Sequence, residues 1–186
     1  MRRLLRTCVG VVLILPSIVV AFPTNASAYA LEGGCKWPDT IYYENSTSGN
    51  YSTPANYATY DWTGTPTKIY LKPYQGYPPY VDMRALNHGN NGDDGITYWN
   101  CDYVTLAMEP ITYSDYNTYY TGNYSFAALE SLMVHELGHA VGLEHAGSSS
   151  CSGQPIMYYS SARYFTCGHI DPQQDDINGI NALYRS

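Results

Sequence analysis

Basic side chains are scarce in this 186-residue chain, with nine Lys and Arg against sixteen Asp and Glu. That balance argues against nucleic acid or an anionic membrane surface as a partner, because both recruit positive charge. Long apolar runs are equally few. One opens the chain, from Val9 to Phe22, behind Arg2, Arg3 and Arg6 and ahead of the small residues Ala26-Ser27-Ala28, with Pro16 interrupting it. This is the anatomy of a secretory signal peptide, predicted over 1–28 with a second cleavage option at 30. No later stretch is long enough to span a bilayer. The mature protein is therefore expected to be secreted, extracellular and without stable membrane association. No C-x-x-C pair occurs, which argues against a thiolate zinc cluster. Internal repeats and linkers are also missing, so 31–186 is read as one domain.

Cysteines are few but even in number once Cys8 leaves with the leader. Cys35, Cys101, Cys151 and Cys167 remain. In an exported chain they read as two disulfides, with three connectivities open. Cys151–Cys167 is the first expectation, since it closes a short loop and would contribute roughly 3 kcal/mol in the chain-entropy picture. Cys35–Cys101 would then follow by elimination. Tyrosine is what the chain has in excess, at 21 residues. It supplies strand area and a polar, adhesive surface.

From Trp37 to Leu71 aromatic and polar residues alternate between Gly, Pro, Asn and Ser clusters, and Ile41–Tyr43 and Lys68–Leu71 read as strands. Pro73 to Pro79 is rich in breakers, and Val81–Leu86 reads as a further strand. His88 to Gly95 is a loop by composition, and Ile96 to Met108 is β-prone. One strong helix is predicted from Phe126 to about Val141, with Ser125 as N-cap and Gly142 ending it. A second is predicted to start near Asp171-Pro172, with Pro172 at its first position and Ile177, Ile180 and Leu183 on one apolar face. Strands first and helices later give an α+β domain.

The chemistry is concentrated in His135-Glu136-Leu137-Gly138-His139-Ala140-Val141-Gly142-Leu143-Glu144-His145. Residues four apart share a helix face, so His135 and His139 can converge on one ion. Glu136 then points beside the metal, within reach of a bound water. Gly142 permits the turn that swings His145 back as a third ligand. Three neutral imidazoles leave one tetrahedral position open, which is the arrangement of a catalytic zinc. Five fixed positions would match by chance in on the order of one chain in 10⁵ of this length.

The extended motif resembles the metzincin metallopeptidases, and the matrixins most closely. The resemblance implies a twisted mixed sheet over an active-site helix, a cleft between two lobes, a Met-turn and a C-terminal helix. Pro155-Ile156-Met157-Tyr158-Tyr159 fits the Met-turn, with Met157 packing under the ligands. Cys35-Lys36-Trp37-Pro38 with Ile41–Tyr43 resembles the entry to the first strand. Asp175 to Tyr184 resembles the closing helix, whose Asp175 and Asp176 would tie it to the Met-turn and the chain start. Tyr159 departs from the matrixin pattern, which usually has proline there. Astacins and serralysins carry a tyrosine at that place which approaches the zinc. Tyr159 is accordingly either an oxyanion donor or a cleft wall. Only a short stretch separates the cleavage site from Cys35, so no pro-domain is expected. The family's inhibitory cysteine motif is missing as well. A second, structural zinc is not expected, since only His88 and His169 remain. Asp93 and Asp94 offer oxygens to calcium, or form a plain solvated turn.

These features predict a zinc-dependent endopeptidase acting, as a monomer, on polypeptide substrates. The substrate would lie extended along an edge strand drawn from Tyr98 to Met108. Residues 158 to 164 would wall its main side-chain pocket, their aromatics suggesting an apolar preference. A binding protein that keeps the scaffold without the reaction is the competing class, and it would have no physical need of Glu136.

Overall fold

A computed structural model of the chain describes residues 37–75, 80–99, 112–147 and 150–184. Its elements in order are β1 (Thr40–Asn45), α1 (Ser52–Thr63), β2 (Tyr70–Pro73), β3 (Val81–Leu86), β4 (Gly95–Trp99), β5 (Thr112–Asn117), the single turn α2 (Thr118–Thr121), α3 (Phe126–Ala140), the short α4 (Ala162–Phe165) and α5 (Gln174–Leu183). The strands form one mixed sheet in the order β2-β1-β3-β5-β4. All neighbours are parallel except β4, which runs antiparallel to β5 with Thr97 opposite Ser114. β4 is thus an edge strand, paired on one side only among the described residues. The α+β architecture read from the sequence is the one observed.

Helix α3 runs through the core between α1 and the β4–β5 side of the sheet. Ser125 caps its start, the side-chain oxygen accepting from Ala128 N at 3.2 Å. From Ala128 to Ala140 every residue is buried, as suits a helix covered on all sides. Its last carbonyls would be orphans in such a setting. Aromatic donors meet them: Trp99 Nε1 donates to His139 O at 3.0 Å, Trp37 Nε1 to Ala140 O at 2.7 Å and the Tyr184 hydroxyl to Val141 O at 3.2 Å.

The structure adds two elements the sequence reading did not assign and moves the start of a third. Between the strands read at Ile41–Tyr43 and Lys68–Leu71 lies α1, a helix with no sequence expectation, whose Ala55, Ala58, Thr59 and Trp62 make a buried helical face. Threonines and tyrosines in that segment mimic a strand, yet Tyr57 and Tyr60 project into solvent. Strand β5 had no sequence signal, because Tyr116 is its one aromatic buried in the core and its other buried positions are the polar Thr112, Ser114, Asp115 and Asn117. Helix α5 starts at Gln174, beyond Pro172. A reciprocal cap between Gln173 and Asp176 sets that start, with Gln173 N donating to Asp176 Oδ2 at 2.7 Å. β2 lies slightly later than Lys68–Leu71, and β4 begins the β-prone segment at Gly95. Residues 100–108 of that segment, and both Cys35 and Cys101, lie outside the described residues.

Candidate active site

Helix α3 delivers His135, Glu136 and His139 to the floor of an open cleft of about 520 Å³. The helix ends at Val141. Gly142, at φ 104°, then turns the chain so that His145 comes back over the same point. One ligand atom from each histidine lies within 4.8 Å of the others. The three rings pack with centroids 4.6 to 5.1 Å apart.

The hydrogen bonds fix which nitrogen faces inward. His135 Nδ1 lies 2.8 Å from Ile156 O, and His139 Nδ1 lies 2.7 Å from Leu143 O. A carbonyl only accepts, so both Nδ1 atoms carry the proton and both Nε2 atoms present lone pairs. His135 Nε2 lies 3.2 Å from His145 Nε2. Two tetrahedral Zn–N bonds of about 2.05 Å would hold their nitrogens roughly 3.3 Å apart. The donor set therefore fits a zinc ion. Burial lowers the affinity of all three rings for protons, His139 to a pKa of about 4 and His135 well below its ordinary value, with the Arg163 charge adding to the effect on His135. At neutral pH they are neutral, the form that binds a metal.

Glu136 is buried beside this triad. Burial pushes its carboxyl up to about 7, partly offset by a hydrogen bond from the Thr97 hydroxyl to Oε2 at 2.8 Å. That value suits a group that must gain and lose a proton near neutrality.

The turn after the triad is where the sequence placed it. Ile156 and Met157 are fully buried, and a Cβ on Gly138 would overlap Met157 Sδ, so the helix is bare where the methionine packs against it. Asp176 holds this turn from α5. Its carboxylate accepts from Ile156 N at 2.8 Å and Met157 N at 3.2 Å. The tie expected of Asp176 to the Met-turn is therefore observed, while the chain start lies outside the described residues. Cys151 and Cys167 form a disulfide across this region, as expected. Tyr159 stands at the mouth of the cleft, 67% exposed, its ring centroid 6.5 Å from that of His145. Tyr158 is buried below it.

The loop from His88 to Asp94 is organised by a buried side chain on β5. Asn117 Nδ2 lies within 3.0 Å of Gly89 O, Asn91 Oδ1 and Asp93 O. Asp94 Oδ2 accepts from the Tyr124 hydroxyl at 2.7 Å. Among the described residues, the three histidines are the group with metal-ligand geometry, and Asp93 and Asp94 are not in it. His88 is paired with Asp115, 3.0 Å away, and Arg84 forms a two-pronged ion pair with the same carboxylate at 2.7 Å.

Several cleft residues had no sequence signal. Gly95 and Thr97 come from β4, Gly95 packing against Glu136 on α3 and Thr97 donating its hydroxyl to that carboxylate. Arg163, on α4, is a buried cation in a wall expected to be apolar. Ser160 and Ser161 line the same wall, so its character is mixed. Only a hydroxyl next to a glycine in an edge strand, or a lone arginine after the Met-turn, hinted at them.

Comparison with known proteins places this geometry. The family model described as matrixin matches residues 85–185. A putative matrix metalloproteinase of Spodoptera frugiperda ascovirus 1a is 44% identical over 55 residues, 29% of this chain and 13% of that protein. An interstitial collagenase of Equus caballus is 37% identical over 65 residues, 35% of this chain and 12% of that protein. The matched stretches thus span about an eighth of the length of these relatives. Among solved structures, the crystal structure of myroilysin superposes with a TM-score of 0.55 at 15% identity, covering 88% of this chain and 93% of that one.

Proposed function

Since the chain belongs to the matrixin family, we propose that it is a secreted zinc-dependent endopeptidase in which His135, His139 and His145 hold the ion and Glu136 is the general base. The observation that carries this reading is the shared focus of three neutral imidazoles with a buried carboxyl of raised pKa next to it. The Arg-led apolar leader over 1–28 and the Cys151–Cys167 bond support export to an oxidising compartment.

Zinc at this site supplies Lewis acidity, lowering the pKa of a bound water and polarising the scissile carbonyl. The chain's own residues do the rest. Glu136 takes the proton of the attacking water and later delivers it to the leaving amine. Thr97 holds Oε2, which leaves Oε1 to carry that proton. The carbonyls of Ile156 and Leu143 keep the His135 and His139 rings in register for the ion. The unpaired side of β4 accepts the substrate as an added strand, which brings its backbone alongside Glu136. Tyr159, at the rim beside His145, either gives its hydroxyl to the developing oxyanion or serves as a wall of the cleft.

The test is direct. Zinc-loaded mature protein is expected to hydrolyse casein, to stop when a chelator removes the metal and to resume on addition of zinc. Glu136→Ala should bind zinc with the same stoichiometry and lose at least about 10²-fold in kcat. Wild-type turnover in that variant would sink the mechanism.

A further inference from the structure

Arg163 is 3% exposed, yet it lines the cleft together with Leu132, His135, Glu136, Ser160 and Ser161. Its guanidinium is poorly served. Nη1 donates to Tyr158 O at 3.4 Å, a long bond, and Nε is buried with no partner among the described residues. The carboxylates that act on it from a distance are Glu136, Asp94 and Asp176. Each is already committed: Glu136 to the Thr97 hydroxyl, Asp94 to the Tyr124 hydroxyl, and Asp176 to the backbone of Ile156, Met157 and Gln173. No carboxylate ion pair to Arg163 forms among the described residues. A buried cation without a counter-ion is strongly destabilising. Burial lowers its pKa only to about 10, so it stays charged at neutral pH.

We propose that Arg163 selects a carboxylate-bearing side chain, glutamate or aspartate, in one of the two substrate residues that flank the scissile bond. The inference rests on the endopeptidase reading above. In this pocket the substrate's methylene stem lies on Leu132. Its carboxylate supplies the counter-charge that the protein withholds, through charge-assisted and potentially two-pronged hydrogen bonds. The neighbouring His135 and Glu136 put the pocket next to the reacting bond. Arg163 is also firmly positioned: its N–H donates to Ser160 O at 3.0 Å, and its carbonyl accepts from His169 N at 2.9 Å.

The experiment uses the zinc-loaded mature protein and matched peptides carrying Glu, Gln or Leu at each flanking position in turn. At one of the two positions, kcat/KM for Glu should exceed that for Gln by about tenfold or more, since a site built around a charge rejects the neutral analogue. Arg163→Met should bring that ratio close to one, and Arg163→Lys should keep part of it. Calorimetry provides a readout without turnover: Glu-Ala-amide or Ala-Glu-amide should bind wild type more tightly than its Gln counterpart. Equal cleavage of Glu, Gln and Leu peptides at both positions would overturn the selection and leave the endopeptidase intact. Failure to cleave any peptide or casein would overturn the endopeptidase reading and this inference with it. The wild-type comparison needs no variant, so a misfolded Arg163→Met does not shield the proposal.

Discussion

Gly95 opens the strand that borders the cleft, and a Cβ placed on it would stand 2.6 Å from Glu136 Oε1 and 2.9 Å from Cδ and Cγ. Those distances are too short for any carbon, so a side chain there must push the carboxylate off its place. A displacement of about 1 Å in a catalytic group costs on the order of 10²-fold in rate. Gly95→Ala is therefore expected to lower kcat by about that factor while zinc content and melting temperature stay near wild type. Steady-state kinetics beside metal analysis would show it, and an unchanged kcat would mean that Glu136 tolerates the crowding. Tyr159 makes a second case at this scale. If its hydroxyl serves the oxyanion, Tyr159→Phe should lower kcat by about 10²-fold with KM unchanged. Unchanged kcat and KM would leave it as a wall of the cleft.

Between elements, the contact with most to say about solution behaviour joins α1, α3 and the entry to α5. Asp61, Glu130 and Asp171 bring three carboxyls together there. Burial, followed by the neighbouring charges of Glu130 and Asp171, raises the Asp61 pKa from 3.8 to about 7. The folded state then holds a proton that the unfolded chain releases near pH 4. Folding takes up protons across the interval from about 4 to about 7, so the Asp61 contribution to stability falls as pH rises through it. Asp61→Asn removes the titration. The variant should gain melting temperature over wild type as pH goes from 5 to 8; parallel melting curves across that range would refute it.

Which elements the sequence disclosed follows from the same physics. Helix α3 was legible because its ligands, its cap at Ser125 and its stop at Gly142 all lie within a single stretch of chain. α1 was not, because its buried stripe is made of small residues and one tryptophan, while its tyrosines face water. β5 was hidden for the opposite reason: most of what it buries is polar, and two of those groups organise their surroundings. Asp115 binds Arg84 and His88, and Asn117 gathers the loop from His88 to Asp94. The histidines and Glu136 sit in one contiguous motif and could be read directly. Gly95, Thr97 and Arg163 meet them only through folding, and no local pattern marks such a meeting. The α5 start was misplaced because Pro172 is a weaker signal than the reciprocal cap of Gln173 and Asp176.

At the scale of the whole molecule, the sheet has two ends with different fates. β2 and β4 are the two edge strands among the described residues, each paired on one side only, and β4 is the one that lines the cleft. Among the described residues, no helix is long and apolar enough to cross a membrane. On the endopeptidase reading proposed above, an edge strand beside the catalytic centre would recognise backbone, and backbone is common to every protein. Backbone pairing at that edge would not tell a foreign chain from a frayed segment of another copy of the molecule. Its working lifetime would then depend on how seldom its own loops come loose, which is a property of local opening. The Cys151–Cys167 bond closes the segment that carries Tyr159, Ser160, Ser161 and Arg163 to the cleft, and would restrain that segment from such opening.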